Sequence, residues 1–242
     1  MEIGNHSQGL IDENNKLILL WTPKAGCTTA VIMMLRHMNL LNEALKIHPF
    51  VHNYRPKFYE KYGHVTLKHL LSKKYFVIKV IRNPYDRAVS SYLHILESWR
   101  RFIDIDMSFT AFLRLVRKKF NTPKIVGYVR TIALVHGCRQ YVKGEELYIR
   151  KYIKLENPVA IKQINKQLKI NLDITVNDKK LIPHHHKHSD IESTKYLGDI
   201  QFSKLPTLLP KTYKSFYNDT TKKLVEIIYG KDIQKYEYQF YN

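Results

Sequence analysis

Lys16-Leu-Ile-Leu-Leu-Trp21, followed at once by Thr22-Pro-Lys-Ala-Gly-Cys-Thr-Thr29, is the stretch from which the fold is read. The first part is a short apolar run that suits a buried parallel strand. The second carries Pro and Gly, so the chain turns there. From Thr28 to Asn39 the spacing of Ala30, Met33, Met34 and His37 predicts a helix. Strand, tight loop and helix in that order open a βαβ unit. In open α/β sheets, ligands gather at the carboxyl ends of strands, where backbone N–H groups and helix N-termini point outward. Gly26 lets the backbone approach an anion, Thr28 and Thr29 offer hydroxyl donors, and Lys24 supplies a mobile positive charge. This is not the nucleoside-triphosphatase loop, because Lys24 precedes the one Gly of the stretch. Taken alone, the stretch reads equally well as a capped turn with an exposed lysine.

A second unit follows the first. Tyr75-Phe-Val-Ile-Lys-Val-Ile81 is dense in β-branched residues and predicts another buried strand. It turns through Arg82-Asn-Pro-Tyr85 into a helix expected from about Asp86 to Arg101, with Pro84 at or just before the first turn. Ser90 comes eight residues after Arg82, two helical turns on. An Arg that ends a strand and a Ser on the next helix can converge on a phosphate, one as a bidentate fork and the other as a hydroxyl donor. Further along, Ser108–Lys118 reads as a helix, Glu146–Leu155 as a third strand, and the stretch through Ile161, Ile164 and Leu168 as a helix. Val176–Leu209 reads as mostly loop, and Asn218–Tyr229 as a last helix packing Leu224, Ile227 and Ile228. The fold class is therefore α/β, a mainly parallel central sheet flanked by helices in the manner of phosphate-loop nucleotide-binding folds. No repeat, linker or boundary interrupts residues 1–242, which read as a single domain.

Composition agrees with a folded chain: 242 residues, 44% hydrophobic and 12% aromatic, can bury a large core. A formal net charge of +19 favours polyanionic partners, although the Lys and Arg are spread along the sequence. Two cysteines, Cys27 and Cys138, do not make a disulfide framework. No stretch is apolar over the roughly 18 residues a membrane span needs, and Met1 to Gln8 is polar, so the chain as given reads as soluble and cytoplasmic, with a Golgi or secretory setting expected only if an N-terminal anchor has been lost.

The two units together resemble a known family. T-P-K-A-G-C-T-T after a strand, then V-I-R-N-P-Y-D-R-A-V-S-S-Y, is similar to the two signatures of sulfotransferases that use 3′-phosphoadenosine 5′-phosphosulfate (PAPS), and most of all to the carbohydrate sulfotransferases. The resemblance implies that Lys24, Ala25, Gly26, Cys27, Thr28 and Thr29 hold the phosphosulfate and that Arg82 and Ser90 hold the 3′-phosphate. Cys27 stands where many relatives carry Ser, which leaves its backbone N–H as the contact. Transfer would be an in-line displacement, with Lys24 on the leaving oxygen and no metal required. Tyr62-Gly-His-Val65 resembles the Gly-His-Val ahead of the Arg motif in glycosaminoglycan 2-O-sulfotransferases, which makes His64 the expected general base. His64 lies eighteen residues before Arg82, closer than in those relatives, and His69 and then His52 are the competitors.

Pro183-His-His-His-Lys-His-Ser189 is similar to a family loop that closes over the nucleotide. This implies that Lys187, His188 and Ser189 touch donor or acceptor, a solvated basic loop being the equal alternative. A metal reading of His184–His188 is disfavoured because neighbouring side chains in an extended loop point apart. No helix-turn-helix, zinc-finger or RNA-recognition signature supports a specific nucleic-acid partner. The expected acceptor is a hydroxyl on a glycan or acidic polysaccharide, read by Asn39–Lys61 and Ile103–Val126, both taken as loops. A phosphotransferase with an irregular loop and a basic nucleic-acid-binding module on an inactive nucleotide fold are the competing readings.

Overall fold

The computed structural model of the chain describes residues 8–99, 106–121, 136–157, 159–173, 181 and 188–241. The chain divides into two compact units, Met1–Arg82 with Val142–Pro183, and Asn83–Tyr141 with His184–Asn242.

The first unit is built on a four-stranded sheet in the order β1-β2-β3-β4. Its strands are β1 (Gln8–Asp12), β2 (Leu17–Trp21), β3 (Phe76–Ile81) and β4 (Ile149–Lys154). The β2–β3 and β3–β4 pairs are parallel, while β1 runs antiparallel to β2 with Gln8 opposite Trp21. All five residues of β2 are buried, as expected of a strand paired on both sides and covered on both faces. One face sets Leu17, Leu19, Trp21, Ile78, Val80 and Ile153 against the apolar side of α1 (Cys27–His37). The other sets Ile18, Leu20 and Val77 against Leu70, Tyr148 and Ile149. The period-2 alternation of strand side chains produces this division.

Lys79 breaks the apolar pattern of β3. Its side chain is 1% exposed and its Nζ lies 2.5 Å from Oε2 of Glu145, which is fully buried. Glu145 also accepts the Val142 N–H at 3.1 Å and the Tyr152 hydroxyl at 3.2 Å. A buried charge pair survives only when its remaining lone pairs are satisfied in this way.

Asn39–Lys61, expected as loop, is largely helical. It contains α2 (Leu41–Ile47), a 3-10 turn over Val51–Tyr54 and most of α3 (Arg55–Tyr62). Leu41, Ala44, Val51, Tyr54 and Phe58 are all buried in the core around α1, and that stripe outweighs the polar residues between them. A short α4 (Leu67–Leu71) precedes β3. After β4, α7 (Val159–Leu168) buries Ile161 and Ile164 as the sequence predicts.

The second unit is helical. Asn83 closes the start of α5 (Pro84–Trp99): its Oδ1 accepts the Tyr85 N–H at 3.0 Å, and Pro84 takes the first helical position. α5, α6 (Phe109–Asn121) and α8 (Asp219–Tyr236) share a core of Val89, Tyr92, Phe109, Phe112, Leu113, Leu224, Val225 and Ile228. The described part of Ile103–Val126 is thus chiefly helix α6 and not loop. α8 runs seven residues beyond the expected end, through a kink at Tyr229, and Ile227 is 44% exposed, so it faces away from the core it was expected to join. Arg87, second Arg of the R-N-P-Y-D-R stretch, is fully enclosed. It donates to the carbonyl of Cys138 at 2.6 Å, and Asp232 accepts the Gln140 and Tyr141 N–H groups at 2.7 and 2.8 Å. Together they bind residues 138–141 to α5 and α8, a structural use of a charge that lies within the motif.

Candidate active site

The Thr22–Thr29 stretch takes its shape from two left-handed residues. The Ala25 N–H bonds the Thr22 carbonyl at 3.0 Å, with Pro23 second in the turn and Lys24 third at φ 67°. That is the pattern of a type II turn, whose third position normally belongs to glycine. Lys24 therefore pays conformational strain to sit at the tip of the turn, a place where strain accompanies function. Gly26 follows at φ 88° and serves as the helix N-cap, with no side chain capping α1. The first rung of α1 is the Ala30 N–H to the Gly26 carbonyl, so the preceding N–H groups have no acceptor within the helix. No acidic residue occupies the first turn of α1, where one would offset the positive end of the helix dipole. The Cys27 thiol folds back to the Thr22 carbonyl at 3.6 Å. These residues fit an anion held by helix N–H groups, two hydroxyls and one ammonium.

Two side chains of the same unit fasten this loop. Arg82, at the end of β3, donates from Nη1 to the Lys24 carbonyl at 3.2 Å. His52, on the 3-10 turn, brings Nε2 to 3.1 Å from the Thr28 hydroxyl. Val51 and Tyr54 anchor that turn in the core, and the Phe50 ring lies 4.9 Å from the imidazole. Among the histidines considered from sequence, His52 is thus the one in contact with the loop. No motif signals it; only the folding of Asn39–Lys61 brings it there.

His64 is exposed and stacks on Tyr59, with ring centroids 4.1 Å apart and 21° between planes. The two rings line a cavity of about 270 Å³ together with Gln8, Gly9, Leu20, Arg55 and Val65. Gly9 is part of its floor because a Cβ there would come within 2.5 Å of Leu20. Gln8 holds Arg55 at 2.6 Å and is itself held by the Trp21 indole at 3.1 Å. Its lining residue Leu20 is next to Trp21, the last residue before the loop, so the cavity borders that end of β2. Burial pushes the Tyr59 phenol above its ordinary value, with the Arg55 charge pulling the other way. His69 is engaged elsewhere: it closes a capping box at α4, its Nδ1 accepting the Thr66 N–H at 3.1 Å.

Ser90 is half-buried on the second turn of α5, in the other unit from Arg82, and each is described only within its own. His188 and Ser189 are occupied in tying down their own segment. His188 Nδ1 lies 2.7 Å from the Pro210 carbonyl, the Ser189 N–H donates to Leu209 at 2.7 Å, and the Ser189 hydroxyl donates to Ile191 at 3.0 Å. Lys187 and residues 184–186 lie outside the described residues. Among the described residues no group of His, Cys, Asp and Glu could hold a metal ion, and no helix is long and apolar enough to cross a membrane.

A mainly parallel sheet flanked by helices, with a lysine-bearing loop after its first parallel strand, defines an α/β protein. The chain matches the profile of the Sulfotransferase family over residues 7–239, nearly its whole length, and it belongs to that family, the carbohydrate-type sulfotransferases in which PAPS dependence is typical. Neither the curated proteins nor the solved structures compared with it include a match. Its class of reaction is therefore sulfuryl transfer.

Proposed function

We propose that the chain, one domain made of both units, transfers the sulfuryl group of PAPS to a hydroxyl of a carbohydrate, with His64 as general base. The observation that carries the reading is the Thr22–Thr29 loop, a strained turn presenting Lys24 beside an uncapped, acid-free helix N-terminus. PAPS supplies an activated sulfuryl group on a phosphate leaving group. Lys24 would neutralise the charge that grows on the bridging oxygen as the S–O bond breaks. The N–H groups and hydroxyls of Ala25 to Thr29 would hold the phosphosulfate, and Arg82 and Ser90 the 3′-phosphate. His64, exposed at the mouth of a cavity, would take the acceptor hydroxyl proton as the new S–O bond forms. The stacked Tyr59–His64 pair offers a ring face to a sugar, and Arg55 offers a charge to an acidic one. Both favour a glycan acceptor, preferably anionic.

Two measurements test this. In a thermal-shift titration, adenosine 3′,5′-bisphosphate should stabilise the protein in the presence of excess ATP. A response to ATP alone, or to neither, would sink the donor assignment. His64→Ala should lower kcat by about 10²–10⁴-fold while leaving bisphosphate affinity intact, and unchanged turnover would remove His64 as the base.

A further inference from the structure

We propose that His52 is a positioning residue of the donor site, turning the Thr28 hydroxyl toward the bound anion. The inference rests on reading the Thr22–Thr29 loop as the cradle of the donor's 5′-phosphate end. A hydroxyl has one hydrogen to give and lone pairs with which to accept. Beside an anion, Thr28 has to spend that hydrogen on the anion, because lone pairs facing negative charge repel it. The 3.1 Å contact with His52 is then satisfied in one sense only, with Nε2–H donating to Oγ1. The resulting chain, imidazole N–H to hydroxyl to anion, polarises each link in the same direction.

The imidazole is set for this by its surroundings. Its 3-10 turn is fixed by buried Val51 and Tyr54, and its ring is flanked by Phe50 at 4.9 Å. Arg82 fixes the loop at the Lys24 carbonyl, and His52 fixes it four residues later at a hydroxyl. One holds the backbone of the turn and the other the rotamer of a donor. His52 touches Thr28 and not the reacting atoms, so its effect falls on donor affinity.

The test is calorimetric binding of adenosine 3′,5′-bisphosphate to the full chain and to H52L, H52Q, T28V and the H52L/T28V double variant. H52L should weaken binding about tenfold, the loss of one hydrogen bond to a charge-bearing chain. H52Q should stay within about threefold, because its terminal amide N–H reaches the place of Nε2. In the T28V background, H52L should cost nothing further. H52L at wild-type affinity, or an equal loss with and without the Thr28 hydroxyl, overturns the proposal. Should H52L fail to fold, imidazole ¹⁵N shifts of the wild-type complex decide, with the signal assigned by its disappearance in H52Q. Protonated Nε2 in the complex sustains the relay, and unprotonated Nε2 overturns it. Absence of bisphosphate binding by the wild type sinks the donor reading itself. Binding that ignores His52 sinks only this inference.

Discussion

Two strand-to-helix turns in this chain begin alike and end differently. At the first, β2 passes through a turn with left-handed Lys24 to a helix whose N-cap, Gly26, brings no side-chain cap. At the second, β3 passes through Arg82 to a helix whose Asn83 side chain takes the Tyr85 N–H and whose first position is Pro84. The second helix start is closed in part by a side chain, whereas the first carries no side-chain cap. In the function proposed above, the first turn would grip an anion mainly by backbone, and the second would offer the side chain of Arg82. The Arg82 bond to the Lys24 carbonyl shows that this guanidinium also supports the first turn.

Substitutions that separate the two turns break or sharpen the contrast. The largest effect belongs to Lys24→Ala, expected to lower kcat about 10²–10³-fold, or about 3–4 kcal/mol of transition-state stabilisation, in a steady-state assay with saturating donor. A fall in apparent donor affinity alone would relegate Lys24 to ground-state binding. Next is Gly26→Ala. Its Cβ would stand 2.8 Å from the Leu155 Cδ1 at a φ of 88°, and the variant should lose about 1–3 kcal/mol in denaturant unfolding together with donor affinity. Smallest is Asn83→Ala, which should cost about 1 kcal/mol of stability and leave bisphosphate affinity where it was. If Asn83→Ala harms donor binding as much as Gly26→Ala does, the two helix starts are not the functional opposites drawn here.

Much of this was legible in the residues. β2, β3 and the helices after them follow from apolar runs punctuated by Gly and Pro, and the tight turn between β2 and α1 from Pro23 and Gly26. The observed bounds shift by a few residues, as with Asn83-Pro84 starting α5 ahead of Asp86. What could not be read depended on partners far away in sequence. Lys79 in a buried strand makes sense only once Glu145 is opposite it. β1, five residues with two apolar members buried, is recognisable only through its pairing with β2. His52 lies in a stretch whose helices are stabilised by packing against α1, so its approach to Thr28 leaves no local signature. His69 attracted attention as a histidine near a motif, yet its ring serves a helix cap.

The antiparallel strand β1 has a consequence for handling the protein. It covers one side of β2, whose five residues are all buried, and its own outer side meets the Tyr59 hydroxyl at the Gly9 carbonyl, 3.4 Å away. β1 thus covers the edge that β2 would otherwise present, with Tyr59 of α3 packed beside it, while β4 forms the opposite edge of the sheet. A chain lacking residues 8–12 would present the Leu17–Trp21 edge to any other copy, and light scattering should find it more self-associated than the full chain.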